Sequence, residues 1–167
     1  GGPLIRSYYD IDDPVLALNT AAAVTTRLKI GTGIALLTQR DPIVTAKVVS
    51  TIDQLSNGRF LFGVGNGWNQ DEIENHGTVF KSRHKLARER IEAMKAIWTN
   101  NEPEYHGEFV NFDKMEQCPK PVQKPWPPIL VRRAFPYAAR RAPPSGHAWV
   151  PPPPRFPIRL PSLSRFP

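Results

Sequence analysis

The sequence predicts an α/β protein built on a parallel sheet, and three observations carry that prediction. The hydrophobic period switches repeatedly between helical and extended over residues 14–65. From Ile30 to Leu61 is 31 positions, about the length of one βαβ unit. Within Arg59 to Asn69, RFLFGVGNGWN, Phe60 to Phe62 and Val64 make an apolar run of the kind buried on both faces, with Gly63, Gly65 and Gly67 at alternate positions. Alternation of helix and strand with short connections is the pattern of a parallel sheet covered by helices.

The elements follow in order. Asp12 or Asp13 before Pro14 reads as an N-cap and first helical position, because proline lacks the donor that would be orphaned there. Val15 to Thr25 is then a short helix with Val15, Leu18, Ala22 and either Ala21 or Thr25 on one face. Leu28 to Leu37 reads as a strand, with Gly31 and Gly33 where a bulge or a close approach would lie. Asp41-Pro42 repeats the cap, Val44, Val48, Ile52 and Leu55 follow at helical spacing, and Asn57-Gly58 stops that helix. The strand over 59–65 comes next.

Residues 70–79 are polar and read as a loop. Lys81 to Trp98 is a long amphipathic helix with Ala87, Ile91, Met94 and Trp98 on one face and Leu86, Ala93 and Ile97 beside it. Its Arg, Lys and Glu face is a solvated surface. Tyr105 to Phe112 alternates around Gly107 as a small hairpin, and Ile129-Leu130-Val131 is a third buried strand after a proline-rich approach. The expected arrangement is strands 28–36, 59–65 and 129–131 running parallel, with helices 14–25, 42–56 and 81–98 on one side.

Charge is distributed unevenly. Residues 1–116 hold 13 Lys and Arg against 15 Asp and Glu, whereas residues 117–167 hold 9 basic residues and no acidic one. The net charge of +7 therefore comes from the last third, which argues against a nucleic-acid surface spread over a folded domain. Cys118 is the only cysteine, so no intrachain disulfide and no four-cysteine metal site can form. His76, His84, His106 and His147 show no metal-ligand spacing, and no metal is expected. No apolar run approaches the roughly 18 residues of a membrane span, and the start lacks a leader pattern. The chain reads as soluble and cytoplasmic, with no membrane partner. Its opening Gly-Gly without Met suggests a start inside a longer protein.

Residues 132–167 contain 10 Pro and 7 Arg with no Asp, Glu or Lys, a composition that cannot close a core. Two explanations stand: a natural proline-rich tail for partner binding, or a lost coding frame, the second being favoured. On this reading the chain divides into a body, 1–131, and a disordered tail, 132–167.

Glycine at the density of Gly63, Gly65 and Gly67 permits close backbone approach to a ligand, and it equally suits a tight strand-to-helix turn with none. The residues that decide between these are in four ordered segments: GTGIALLTQRDPIVTAKVVSTIDQLSNGRFLFGVGNGWNQDE, RHKLARERIEAMKAIWT, EYHGEFVNFD and KPVQKPWPPILV. Together they resemble the bacterial luciferase-like monooxygenases, and within them the oxidoreductases that use the deazaflavin coenzyme F-420. The resemblance runs over residues 8–131.

It implies part of a (β/α)₈ TIM barrel with FMN or coenzyme F-420 across the carboxyl ends of the strands. It places a non-proline cis peptide, supporting the ring face, at Gly33-Ile34, with Ala35 and Leu36 beside it. It places Gly65, Asn66, Gly67 and Trp68 in the turn that faces ring and substrate, where Trp68 would stack on the ring or wall the pocket and Asn66 or Asn69 would bond the ring's polar edge. No catalytic residue is assigned, because the family's proton-transfer residues fall on strands before residue 1. Arg132-Arg133 stand where family members carry Gly-Gly near the cofactor phosphate. The implied activity is hydride transfer between the reduced ring and a small organic substrate, as a monooxygenase or a dehydrogenase. A homodimer stays open for the parent enzyme. The alternative from another class is a non-enzymatic α/β interaction module whose basic proline-rich arm binds a partner.

Overall fold

The computed structural model describes residues 12–131 and the backbone of 148–149. The elements in chain order are α1 (Pro14–Ala23), β1 (Ile30–Gly31), β2 (Ala35–Leu36), a 3₁₀ turn (Leu37–Gln39), α2 (Pro42–Leu55), β3 (Phe60–Gly65), α3 (Gln70–Asn75), a second 3₁₀ turn (Phe80–Ser82), α4 (Arg83–Thr99), β4 (Tyr105–His106), β5 (Asn111–Phe112), β6 (Ile129–Val131) and β7 (Ala148–Trp149). The main sheet has the order β1-β3-β6-β7, and β2 also pairs with β3. Every pairing in it is parallel.

The expected first strand is two short strands with a bulge between them. Gly31 pairs with Leu61 and Ala35 with Val64, so four steps along the first strand face three along β3. One extra residue is inserted within 32–34, which is the definition of a bulge. The Gly33-Ile34 peptide inside it is cis.

Capping follows the sequence closely. The Asp13 carboxylate accepts from the backbone N–H of Val15 at 2.9 Å and of Leu16 at 3.1 Å, and Asp41 accepts from Val44 N–H at 2.9 Å. These carboxylates satisfy donors that a helix start leaves orphaned. At the other end of α2, Asn57 and Gly58 both take positive φ, 52° and 75°, where glycine costs least.

One core joins the helices to one face of the sheet. Phe60, Phe62 and Val64 of β3, Ile30 of β1, Ala35 of β2 and Ile129 of β6 pack with Ala46, Val49 and Ile52 of α2 and with Ala87, Ile91, Met94, Ile97 and Trp98 of α4. Trp98 meets Phe62 edge-on at 6.2 Å between ring centroids and donates its indole N–H to the Ala46 carbonyl at 3.1 Å, which locks α4 to α2. All seven apolar positions expected on α4 are buried. Leu86 and Ala93 face away from the main core toward Val110, Tyr105, Phe109 and Phe112, and so seat the antiparallel β4-β5 hairpin. Glu89 holds that hairpin by accepting from three successive N–H groups, Glu108, Phe109 and Val110, at 2.8–3.1 Å.

The other sheet face carries Gly31, Leu36, Leu61, Gly63, Gly65 and Leu130 by alternation along the paired strands. Leu36, Leu61 and Leu130 are half-buried. A sheet packed by helices on one face and lined with leucines and glycines on the other has the layering of a barrel wall.

Three expectations need correction. Residues 70–75 form α3 rather than loop. With Ile73 as its single buried residue, that helix has no hydrophobic period to read, and it is held by Asp71 and Glu72 in the first turn and a Gln70–Glu74 side-chain bond at 2.9 Å. On α2 the buried stripe is Thr45, Ala46, Val49, Ile52 and Asp53, whereas Val44 and Leu55 are about 60% exposed. Asp53 turns this stripe inward: it accepts from the Gln123 backbone N–H at 3.0 Å and side-chain amide at 2.7 Å, a long-range anchor that no local period reveals. Finally, the tail is not wholly irregular, because Leu130 pairs with Ala148 and Val131 with Trp149, so the sheet continues past residue 131. The rest of the expected tail, and Arg132-Arg133, lie outside the described residues.

Candidate functional site

The site residues expected from the sequence fall in two neighbouring places: Gly33 and Ile34 in the bulge between β1 and β2, opposite Phe62 and Gly63, and Gly65 to Trp68 at the carboxyl end of β3. Leu36 pairs with Gly65, and the Ile34 side chain reaches from the bulge over Gly65. What links them is a set of glycine contacts. A Cβ on Gly63 would run into the Thr32 carbonyl oxygen, and one on Gly65 would run into the Ile34 side chain. The Thr32 hydroxyl completes the lock by donating to the Gly63 carbonyl at 2.6 Å. Gly63 and Gly65 are thus glycine because the bulge lies on them. Close approach occurs here, but between two segments of this chain.

Gly33 is different. Among the described residues, its two chain neighbours aside, no heavy atom stands within 4 Å of the position its Cβ would take, so its backbone is open on that side. Ile34, half-buried, packs over Gly65, and Ala35 is buried in the core. Of the first group, Gly33 and Ile34 are therefore the surface of the bulge and Ala35 is its support. Gly67 takes φ +74, and a Cβ there would come to 2.9 Å from Ile73 of α3, which turns the chain from β3 into that helix. Trp68 follows at 68% exposure, projecting into solvent rather than into the core.

Asn66 is held at two points. Its carbonyl accepts from the Thr38 hydroxyl at 3.3 Å, and its side-chain Nδ2 lies 2.6 Å from Nδ1 of His84 in the first turn of α4. Thr38 is itself buried, and its own carbonyl accepts from the Thr78 hydroxyl at 2.7 Å. Asn69 serves as the N-cap residue of α3 without a side-chain bond. His84 is the member of this cluster that sequence reasoning missed. It sits 18 residues from Asn66 on a different element, and only its place at the start of α4, facing the end of β3, could have signalled it.

Two arginines are held at nearby positions in the chain by contacts of their own. The Arg90 guanidinium donates to the Leu37 carbonyl at the end of β2; burial lowers its pKa, and the Asp41 carboxylate works in the opposite direction. Arg83 stacks over the Phe80 ring at 3.8 Å and donates to the Phe80 carbonyl at 2.8 Å. A cavity of about 170 Å³ exists elsewhere, lined by Val15, Val44, Val48, Ile52, Phe60 and Phe62. It lies between α1, α2 and the helix side of the sheet, and Thr32 of the bulge and Ala35 of β2 also line it. Among the described residues no three His, Cys, Asp or Glu side chains gather as metal ligands, and no helix is long and apolar enough to cross a membrane.

The chain has known relatives in sequence and in fold. The model of the family described as luciferase-like monooxygenase matches residues 5–156. Over 135 residues the chain is 46% identical to uncharacterized protein Rv0953c of Mycobacterium tuberculosis, which covers 78% of this chain and 48% of that relative. Over 92 residues it is 36% identical to the FMNH(2)-dependent dimethylsulfone monooxygenase of Pseudomonas putida, covering 53% of this chain and 25% of that enzyme. Among solved structures, the monooxygenase RslO1 from Streptomyces bottropensis superposes with a TM-score of 0.76 at 30% identity, over 82% of this chain and 42% of that one. The coenzyme F-420 dependent tetrahydromethanopterin reductase from Methanopyrus kandleri superposes with a TM-score of 0.68 over 80% of this chain and 42% of its own, a likeness of fold at 23% identity. The chain spans about half the length, or less, of the relatives it matches. The family match also reaches past residue 131 into the proline- and arginine-rich segment.

Proposed function

Because the chain belongs to the luciferase-like monooxygenase family, we propose that it supplies about half of a (β/α)₈ barrel that binds a reduced flavin or deazaflavin at the carboxyl ends of its strands and acts on a small organic substrate. The observation that carries this reading is the bulge at 32–34, whose open Gly33 backbone and half-buried Ile34 offer a flat apolar surface beside the end of β3. That surface fits a planar ring system, since a Cβ-free backbone admits close approach from the side where Gly33 has no neighbour.

In this proposal Gly33 and Ile34 support the ring face, with Ala35 anchoring them to the core. Asn66 meets a polar edge, Trp68 walls the pocket, and Gly65 and Gly67 set the path of the turn. When bound, the reduced ring supplies the hydride, or, in the case of a flavin, the reducing equivalents for oxygen chemistry. The protein's share is to orient the ring and to exclude water with Trp68 and the leucine-lined inner face. The P. putida relative's FMNH(2) dependence supports a flavin. The sequence resemblance and the fold of the M. kandleri enzyme support the deazaflavin as the other candidate. We take residues 12–131 with the strand 148–149 as one barrel unit, cytoplasmic, with the remaining strands of the barrel completing the pocket.

The test is a fluorescence titration of FMN and of coenzyme F-420 against the 167-residue chain and against a barrel completed with the missing strands of a relative. Binding in the micromolar range by the completed barrel, and at least a hundredfold weaker binding by the chain alone, is expected, since in this reading the rest of the ring's contacts lie on the added strands and Arg132-Arg133 replace the Gly-Gly pair near the cofactor phosphate. Equal tight binding by the chain alone overturns the half-site reading. No binding by either overturns the cofactor assignment.

A further inference from the structure

Asn66 and His84 come from different elements, yet Asn66 Nδ2 and His84 Nδ1 are 2.6 Å apart. A contact between an amide nitrogen and an imidazole nitrogen works in one direction only. The amide NH₂ donates and cannot accept, so Nδ1 carries the lone pair and the ring is the neutral tautomer with its proton on Nε2. The nitrogen end of the Asn66 amide is thereby committed to α4, and the end that is left over is the carbonyl oxygen Oδ1. The backbone beneath is equally constrained: Gly65 lies under Ile34, the Asn66 carbonyl accepts from Thr38, and Gly67 holds φ +74.

We infer that His84 is a positioning residue that fixes Asn66 as a hydrogen-bond acceptor at the end of β3, so that the site selects a ligand edge presenting an N–H over one that presents acceptors alone. The ligand half of this inference rests on the reading above that Asn66 meets the ring; the His84–Asn66 pairing does not depend on it. Flavins and deazaflavins share an imide edge, with one N–H between two carbonyls. An acceptor held by His84 matches that N–H, while an amide free to turn over would present NH₂ as often as oxygen and lose the preference. The chemical class selected is therefore a cyclic imide with its nitrogen unsubstituted.

The pairing is tested on the ¹⁵N-labelled 167-residue chain without any ligand. A resolved scalar coupling between Asn66 Nδ2 and His84 Nδ1 across the hydrogen bond is expected, together with ring nitrogen shifts of the Nε2–H tautomer. Both signatures of the pair vanish in His84→Ala. Absence of the coupling in the parent chain, or a ring proton on Nδ1, means that Oδ1 is the end facing His84 and overturns the inference. Selectivity is tested on the completed barrel with riboflavin and N3-methylriboflavin as probes. The parent is expected to prefer riboflavin about tenfold, as one hydrogen bond warrants. The preference falls to about one in His84→Ala and returns in His84→Gln, whose side-chain oxygen can again accept from Asn66 Nδ2. Equal affinities in the parent overturn the selectivity. A coupling present with neither probe binding establishes the pairing, and overturns the cofactor reading together with the ligand half of this inference.

Discussion

Replacing Gly63 by alanine puts one methyl group where the bulge rests on β3. The new Cβ would lie within bonding range of the Thr32 carbonyl oxygen, a backbone atom and not the end of a flexible side chain. Thr32 cannot simply step aside, because its N–H donates to the Leu61 carbonyl at 3.2 Å and its hydroxyl to the Gly63 carbonyl at 2.6 Å. Relief requires the bulge to lift off the strand. Overpacking of this kind costs about 1–3 kcal/mol, and the buried hydroxyl bond lost with it adds about 1 kcal/mol. The stiffer unfolded chain of an alanine variant returns about 0.4–1 kcal/mol. A net loss of about 2–3 kcal/mol is expected, which moves the midpoint of urea unfolding down by about 1–1.5 M at a slope of about 2 kcal/mol per M. Thr32→Val serves as the companion, since it removes the hydroxyl bond without the clash and should cost about 1 kcal/mol. The double variant should lose less than the sum, because the alanine has already broken the bond that valine removes. A Gly63→Ala chain unfolding within about 0.5 kcal/mol of the parent, far inside the usual effect of a core clash, would refute the account of these glycines as seats for the bulge.

The Arg59 guanidinium donates to the carbonyls of Ser56, Leu28, Ala22 and Thr25 and to the Thr25 hydroxyl at 2.6–3.1 Å, tying the end of α1 to the start of β3. Arg59→Lys keeps the charge but not the planar fork, and hydrogen exchange should show α1 losing protection selectively while α4 keeps it, with a cost of about 2 kcal/mol. The Tyr105 phenol is held above its ordinary value of 10.0, first by burial and then by the Glu89 and Glu92 charges, against which Arg88 acts. A raised folded-state pKa means that its contribution to stability is fully present below pH 10.0 and is lost as the pH rises through the folded value. Ultraviolet titration of Glu89→Gln should find that pKa lowered but still raised above 10.0, because burial remains. The same substitution should loosen the β4-β5 hairpin, since one amide oxygen replaces two carboxylate oxygens that accept three backbone N–H groups.

Much of this architecture is legible from residue order alone. Asp13-Pro14 and Asp41-Pro42 announce their helices because capping chemistry is local. The buried face of α4 follows from its period, and Phe60 to Gly65 is recognisable as a buried strand because it is apolar without alternation. The bulge at Gly33 and the nearness of Gly33 and Ile34 to Gly65, Asn66, Gly67 and Trp68 follow from the resemblance and from the rule that ligands meet parallel strands at their carboxyl ends.

What tertiary structure alone decides is everything that depends on a partner distant in sequence. α2 carries two overlapping apolar stripes, and Asp53 meeting Gln123, 70 residues later, selects between them. α3 has one buried residue and no period, so it exists as a helix through its charged first turn and the seat of Ile73. Sequence spacing cannot say whether a glycine admits a ligand or a neighbouring strand, and the register of β2 on β3 assigns Gly63 and Gly65 to the strand and Gly33 to open space. In the same way His84 reads as a lone polar histidine until α4 packs beside β3 and brings its ring to Asn66. Periods and caps are set by neighbours within a turn or two, whereas a site is made where separate elements meet, and those meetings follow from how the helices and strands pack on one another.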